Sequence, residues 1–153
     1  MVRLSDLDPA IAQHLRELPL PAFETAPWQP GPLLSEARVA IVSTAGLHRR
    51  SDSVFALGAS DYRIIPGEVS PADLVMSHVS VNFDRSGFQQ DVNVVFPLER
   101  LNDLAAAGHI GSVARWHYSF MGATDPSRME DTAREVGRLL RGDGVTAALL
   151  VPV

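Results

Sequence analysis

The sequence predicts an α/β fold with a mainly parallel sheet, and three observations carry that expectation. Short apolar runs alternate with stretches of helical periodicity. Glycine-containing turns separate them. The last run, Gly144 to Val153, is apolar almost throughout, as a strand buried on both faces of a parallel sheet would be. With 153 residues and 46% hydrophobic content, the chain can build one core. A single α/β domain is expected over 38–153, preceded at 1–37 by a short helix and an arm, with no internal repeat.

Asp8-Pro9 is a helix start, with Asp as N-cap and Pro at the first helical position, and Ile11, Leu15 and Leu18 recur on one face of a helix from Pro9 to Leu18. Pro19 through Pro32 carries five prolines and a glycine, so it is expected to wrap the surface in extended form. Phe23 and Trp28 are its anchors, and docking on a partner subunit is a natural use for such an arm.

Arg38 to Ser43 reads as a buried strand entering a glycine turn at Thr44-Ala45-Gly46. Tyr62 to Pro66 and Val92 to Phe96 are two further strand candidates, the second ended by Pro97. Leu98, Leu101, Leu104 and Ala105 then mark a helical face that closes at Gly108. Asp125-Pro126 opens the longest helix, whose face is Met129, Ala133, Val136 and Leu140 and which ends at Gly142. The closing strand follows at once and delivers the chain to the carboxyl edge of the sheet, where open α/β sheets bind ligands.

Composition removes several chemistries. The net charge is -5 and the arginines are scattered, so no basic stripe exists to neutralise a nucleic-acid backbone. All 13 basic residues are arginine, which excludes Schiff-base lysine chemistry and the P-loop from these residues. Zero cysteine excludes disulfides, thiolate nucleophiles and zinc-thiolate or iron-sulfur sites. With no apolar stretch of membrane length and no signal-peptide pattern, a soluble cytoplasmic protein is expected.

Three polar segments could carry chemistry. Leu47 to Asp52 groups His48, Arg49 and Arg50 after the first strand, where either an anion such as a substrate carboxylate or plain solvent fits. Ser77 to Asp91 is rich in His, Asp, Asn and Arg, and Arg115 to Gly122 interleaves His117 and hydroxyls with aromatics, so together they offer a pocket lining. His48, His78, His117 and Asp84 contain the donors of a metal site, and a metal-dependent hydrolase is one reading, but no pair shows a helical ligand spacing. A triad of Ser119, His117 and Asp84 can be drawn, yet no nucleophile elbow is present.

The run Ser77-His78, Asn82-Phe83-Asp84, Asp91 to Pro97, Arg100-Leu101, Gly108 to Ala114 and His117 to Gly122 resembles selenoprotein B of the glycine, sarcosine, betaine and D-proline reductases. Ser43 to His48 and the later Ser51-Asp52 match the family's early strand and loop, and the resemblance runs from about Arg38 to Val153. In that family a strand like Leu149 to Val153 is followed at once by selenocysteine or cysteine. The resemblance therefore implies that this is the N-terminal part of such a subunit, stopped at a UGA codon just before its nucleophile.

It further implies reductive cleavage of a C–N bond in an amino acid or amine substrate, with a dithiol as electron donor. No cofactor is expected in this chain itself, selenocysteine is expected in the full-length protein, and 1–153 alone is expected to be inactive. His48, His78 and His117 match family histidines and are the catalytic candidates. Arg49, Asp84, Arg85, Tyr118 and Ser119 are the substrate-binding candidates, the arginines because a guanidinium holds a carboxylate by two hydrogen bonds. Partner reductase subunits and a homo-oligomer are both open, and no nucleic acid or membrane is expected. A non-catalytic binding or assembly module on the same scaffold is the alternative.

Overall fold

Arg38–Ser43 is the strand around which the rest is built, because Val39, Ala40, Ile41 and Ser43 are all buried. The computed structural model describes residues 3–19, 22, 29–80 and 85–153. In chain order the elements are α1 (Pro9–Glu17), β1 (Arg38–Ser43), β2 (Leu47–Arg49), β3 (Tyr62–Pro66), β4 (Leu74–Met76), α2 (Ser86–Gln90), α3 (Leu98–Ala106), β5 (Ser112–Val113), β6 (Trp116–Phe120), α4 (Glu130–Gly142) and β7 (Ala147–Val151).

The protein is an α/β domain with a mixed, mostly parallel sheet. β7 lies parallel to β1 on one side, in register from Val39 opposite Ala147 to Ser43 opposite Val151. On the other side β5 and β6 pair with β1 in succession, both parallel. β3 runs antiparallel to β6 and forms that edge, while β2 and β4 make a separate antiparallel ribbon. Among the described residues no helix is long and apolar enough to cross a membrane.

Strand alternation assigns the two faces. Ile41, Ile65, Phe96, Leu98 and Leu101 pack together on the α3 side. Tyr118 and Phe120 pack with Val136 of α4 on the other. Fully burying one such large side chain contributes roughly 1.5–3 kcal/mol. α4 follows the expected face at three of its four positions: Val136 is buried and Met129 and Leu140 pack beside it, whereas Ala133 is exposed. The Asp125 carboxylate accepts from Ser127 N–H at 2.9 Å, opening a 3₁₀ turn (Pro126–Met129) that leads into the helix.

Several expectations need correction. Val92 to Phe96 is not a strand. The Asp91 carboxylate accepts from Asn93 N–H at 2.9 Å and starts a 3₁₀ turn (Val92–Val94), a local bond that competes with extended backbone. Val95 and Phe96 then plug the core. Arg115 to Gly122 contains the interior strand β6, although Arg115, Trp116 and Tyr118 do border a groove, and part of the Leu47–Asp52 loop is β2. The closing strand is parallel as expected but not buried: β7 is an edge, with Leu149 and Leu150 exposed at 38% and 69%. Apolar composition does not distinguish an edge strand from a central one.

α1 starts at Asp8-Pro9 as expected, its Asp8 carboxylate accepting from Ala10 N–H at 2.9 Å. Its anticipated apolar face is instead exposed at Ile11, Leu15 and Leu18, and Ala12 is the residue buried. Most of the proline-rich arm, with Phe23 and Trp28, lies outside the described residues.

Candidate functional site

The carboxyl ends of β1, β6 and β7 meet at a sequence of very small residues. Thr44 fixes the end of β7 with its backbone and its side chain. Its N–H donates to Val151 O at 3.1 Å, and its hydroxyl accepts from Val153 N–H at 2.8 Å. Gly122 donates its N–H to Thr44 O at 2.8 Å, and a Cβ there would stand 2.7 Å from Val153 O. No side chain fits at that crossing.

One residue further, Gly46 turns the chain out of the sheet with φ +65°, a conformation L side chains rarely adopt. A Cβ on Gly46 would lie 2.9 Å from the His78 backbone nitrogen, so this glycine lets the His78 segment close on the end of β1. Ser77 N–H donates to Gly46 O at 3.0 Å, and the Ser77 hydroxyl accepts from Phe55 N–H at 3.1 Å.

His48 and His78 are therefore brought to this end together, 3% and 4% exposed. The His48 Nδ1 lies 2.8 Å from Arg49 O, and a carbonyl only accepts, so Nδ1 carries the proton. Its Nε2, the acceptor of the neutral ring with that tautomer, is buried with no hydrogen-bond partner among the described residues, and Phe55 meets the ring edge-on at 6.5 Å. Leaving such an acceptor unpaired costs about 1–3 kcal/mol, which a bound donor would recover. His78 has the opposite wiring, with Nδ1 accepting from Ser80 N–H at 3.2 Å. Burial, reinforced by the Arg85 guanidinium, lowers its pKa from the ordinary histidine value.

The other anticipated residues are placed as follows. Arg85 stays near His78, donating to the carbonyls of His78 and Ser80. Asp84 lies outside the described residues. His117 does not join the pair. It is fully buried under the sheet, its Nδ1 accepting from Ile41 N–H at 2.9 Å and its ring meeting Phe96 edge-on at 5.6 Å. Burial lowers its pKa to about 4, with Asp143 opposing and Arg38 adding to the shift.

Ser119 is buried and accepts from Leu47 N–H at 2.8 Å, which anchors β2. Tyr118 points to the α4 side, edge-on to Tyr62 at 5.9 Å. Arg49 is held by Asp52 through two side-chain contacts of 3.1 and 2.8 Å. Among the described residues no group of three or more His, Asp or Glu is arranged to hold a metal ion. Thr44, Ser77 and Gly122 lie inside the turn and motifs read from the sequence but are not among its candidate site residues. The density of small residues around Ser43–Gly46 is the sequence signal for the close crossing itself.

The class the structure defines is an α/β domain that encloses two histidines at the carboxyl end of its sheet, and comparison with known proteins gives the family. Residues 10–153 match the model of the glycine/sarcosine/betaine reductase selenoprotein B family, and the chain belongs to that family. It is 35% identical over 120 residues to D-proline reductase subunit gamma of Acetoanaerobium sticklandii, covering 76% of this chain and 49% of that one. It is 30% identical over 140 residues to sarcosine reductase complex component B subunit beta of Peptoclostridium acidaminophilum. With glycine reductase complex component B subunit gamma of Carboxydothermus hydrogenoformans the identity is 26% over 140 residues. The latter two alignments cover 88% of this chain and 32% of each relative. The chain thus spans about half the length of the first relative and about a third of the others. No solved structure matches it.

Proposed function

We propose that this chain forms the histidine-bearing part of a cytoplasmic reductase site that cleaves a C–N bond of an amino acid or related amine. In net terms the C–N bond becomes one C–H and one N–H bond. A dithiol gives up two electrons and two protons and becomes a disulfide. The observation that carries the reading is the bare, buried Nε2 of His48 at the carboxyl end of the sheet, next in sequence to the turn whose Thr44 anchors Val153.

A selenolate or thiolate in a segment following Val153 supplies the nucleophile, and selenium suits the role because a selenol ionises more readily than a thiol. The residues present fit that group. Thr44 and Gly122 hold Val153 at the ligand-binding edge, and the lone pair of His48 needs a donor. His48 Nε2 takes the proton of the incoming selenol or thiol and returns it to the departing nitrogen. His78, kept neutral, orients substrate by hydrogen bonding, and Arg85 beside it, with Asp84 in the same segment, completes the substrate-binding side.

His117 enters as a positioning residue that holds β1 in place through Ile41. Ser119 does the same for β2. Partner subunits fit this reading, since the relatives are subunits of reductases or of reductase complexes by name.

The codon after Val153 tests the proposal. UGA with an in-frame cysteine downstream, or a cysteine codon, supports it. UAA, UAG, or UGA with no in-frame cysteine downstream contradicts it. The 1–153 chain incubated with glycine, sarcosine or D-proline and a dithiol should show no turnover, and measurable reduction would mean that the reactive group has been misplaced.

A further inference from the structure

At the amino end of the sheet, Ile64, the start of β6 and the last turns of α4 border a groove of ≈ 630 Å³. Arg49, Arg115 and Arg138 line it, around Ile64, Trp116 and Leu139. The whole chain carries a charge of -5, so this concentration of cations runs against its average.

The carboxylate in the groove is already occupied. Asp143 Oδ1 sits 2.7 Å from the Arg38 guanidinium, and its Oδ2 accepts from the N–H groups of Arg115 and Trp116 at 2.8 and 3.3 Å. Arg49 is paired with Asp52. Arg115 and Arg138 take part in none of the ion pairs found among the described residues.

Arg115 is held by its face instead, its guanidinium 4.9 Å from the centre of the Trp116 ring, which leaves its N–H edge to meet an acceptor. Ile64 and Leu139 are 39% and 38% exposed, so the groove presents carbon as well as charge.

We propose that this groove docks an acidic peptide segment of a partner subunit, its carboxylates on Arg115 and Arg138 and an apolar side chain over Ile64 and Leu139. A lone small anion would satisfy a guanidinium and leave the apolar surface wet. The volume lies within the range of roughly 300–1,000 Å³ that accommodates ligands much larger than one anion. Cations drawn from separate elements suit a ligand with more than one acidic group. The site uses neither His48 nor His78, and Arg49, the neighbour of His48 in the chain, lies at its border already paired with Asp52, so failure of this proposal and failure of the reductase reading are distinguishable.

The probe is a fluorescein-labelled octapeptide of alternating glutamate and leucine, read by fluorescence anisotropy. Saturable binding is expected, weakening by about tenfold or more in the Arg115→Glu/Arg138→Glu double variant and unchanged in Arg16→Glu on α1. Arg115 and Arg138 are both exposed, so the double variant should keep the parent's unfolding midpoint. If it does not, Arg115→Gln/Arg138→Gln is read in its place. No binding, equal binding by the variant, or displacement of the peptide by inorganic phosphate at about 1 mM would overturn the proposal, the last by showing a small-anion site.

Discussion

The two ends of the parallel strands are built on opposite principles. At the carboxyl end backbone approaches backbone, through Gly46 against His78 and Gly122 against Val153, and two histidines are enclosed, 3% and 4% exposed. At the amino end side chains rather than backbone define the surface, and arginines surround a carboxylate that Arg38 and two N–H groups already hold. Burial opposes ionisation of Asp143, but those donors outweigh it and its pKa lies below the ordinary carboxylate value. Tight backbone packing suits the proposed proton chemistry, whereas an open charged groove suits the proposed docking.

The sharpest way to break the comparison is Gly46→Ala. The substitution places a Cβ 2.9 Å from the His78 nitrogen at φ +65°, so it combines strain with a backbone clash. A loss of about 3 kcal/mol or more is expected in urea denaturation, and a loss below about 1 kcal/mol would mean that this turn does not hold the histidine segment.

A buried neutral histidine makes the core sensitive to acid. Burial lowers the His117 pKa to about 4 in the folded chain from the ordinary histidine value of 6.5, so the unfolded chain binds more protons between those values. Its contribution is fully present above about pH 6.5 and lost as pH falls towards about 4, about 3 kcal/mol in all. Denaturation at several pH values should show that slope, and His117→Gln should flatten it.

Smaller again is Thr44→Val, which removes the hydroxyl that accepts from Val153 N–H. A cost of about 1–2 kcal/mol is expected, with hydrogen exchange at Val153, just beyond β7, accelerated more than exchange within the strand. An unchanged exchange rate would show that the end of β7 is held by other contacts.

How much of this was legible in the sequence follows from which forces act locally. The start of α1, the closure of α3 at Gly108 and the span of β1 rest on caps, turns and periodicity, which short stretches encode. Val92 to Phe96 misled because its apolar run and its Asp91 cap point different ways, and the cap prevailed. The ribbon of β2 and β4 was hidden because each strand is three residues long and draws its stability from a distant partner. His48 and His78 were recognised from their motifs, but which histidine faces the carboxyl end depends on strand parity and on Gly46. His117 shares a motif with Ser119 and is nonetheless turned into the core, because both side chains lie on the inner face of β6.

The most direct test of the account is the steady-state rate of the full-length protein, in its complex, carrying His48→Gln. With Nε2 as the proton acceptor, kcat should fall by about a hundredfold or more, while KM and the unfolding midpoint stay close to the parent values. A kcat within about threefold of the parent would contradict the assignment and move the proton chemistry elsewhere.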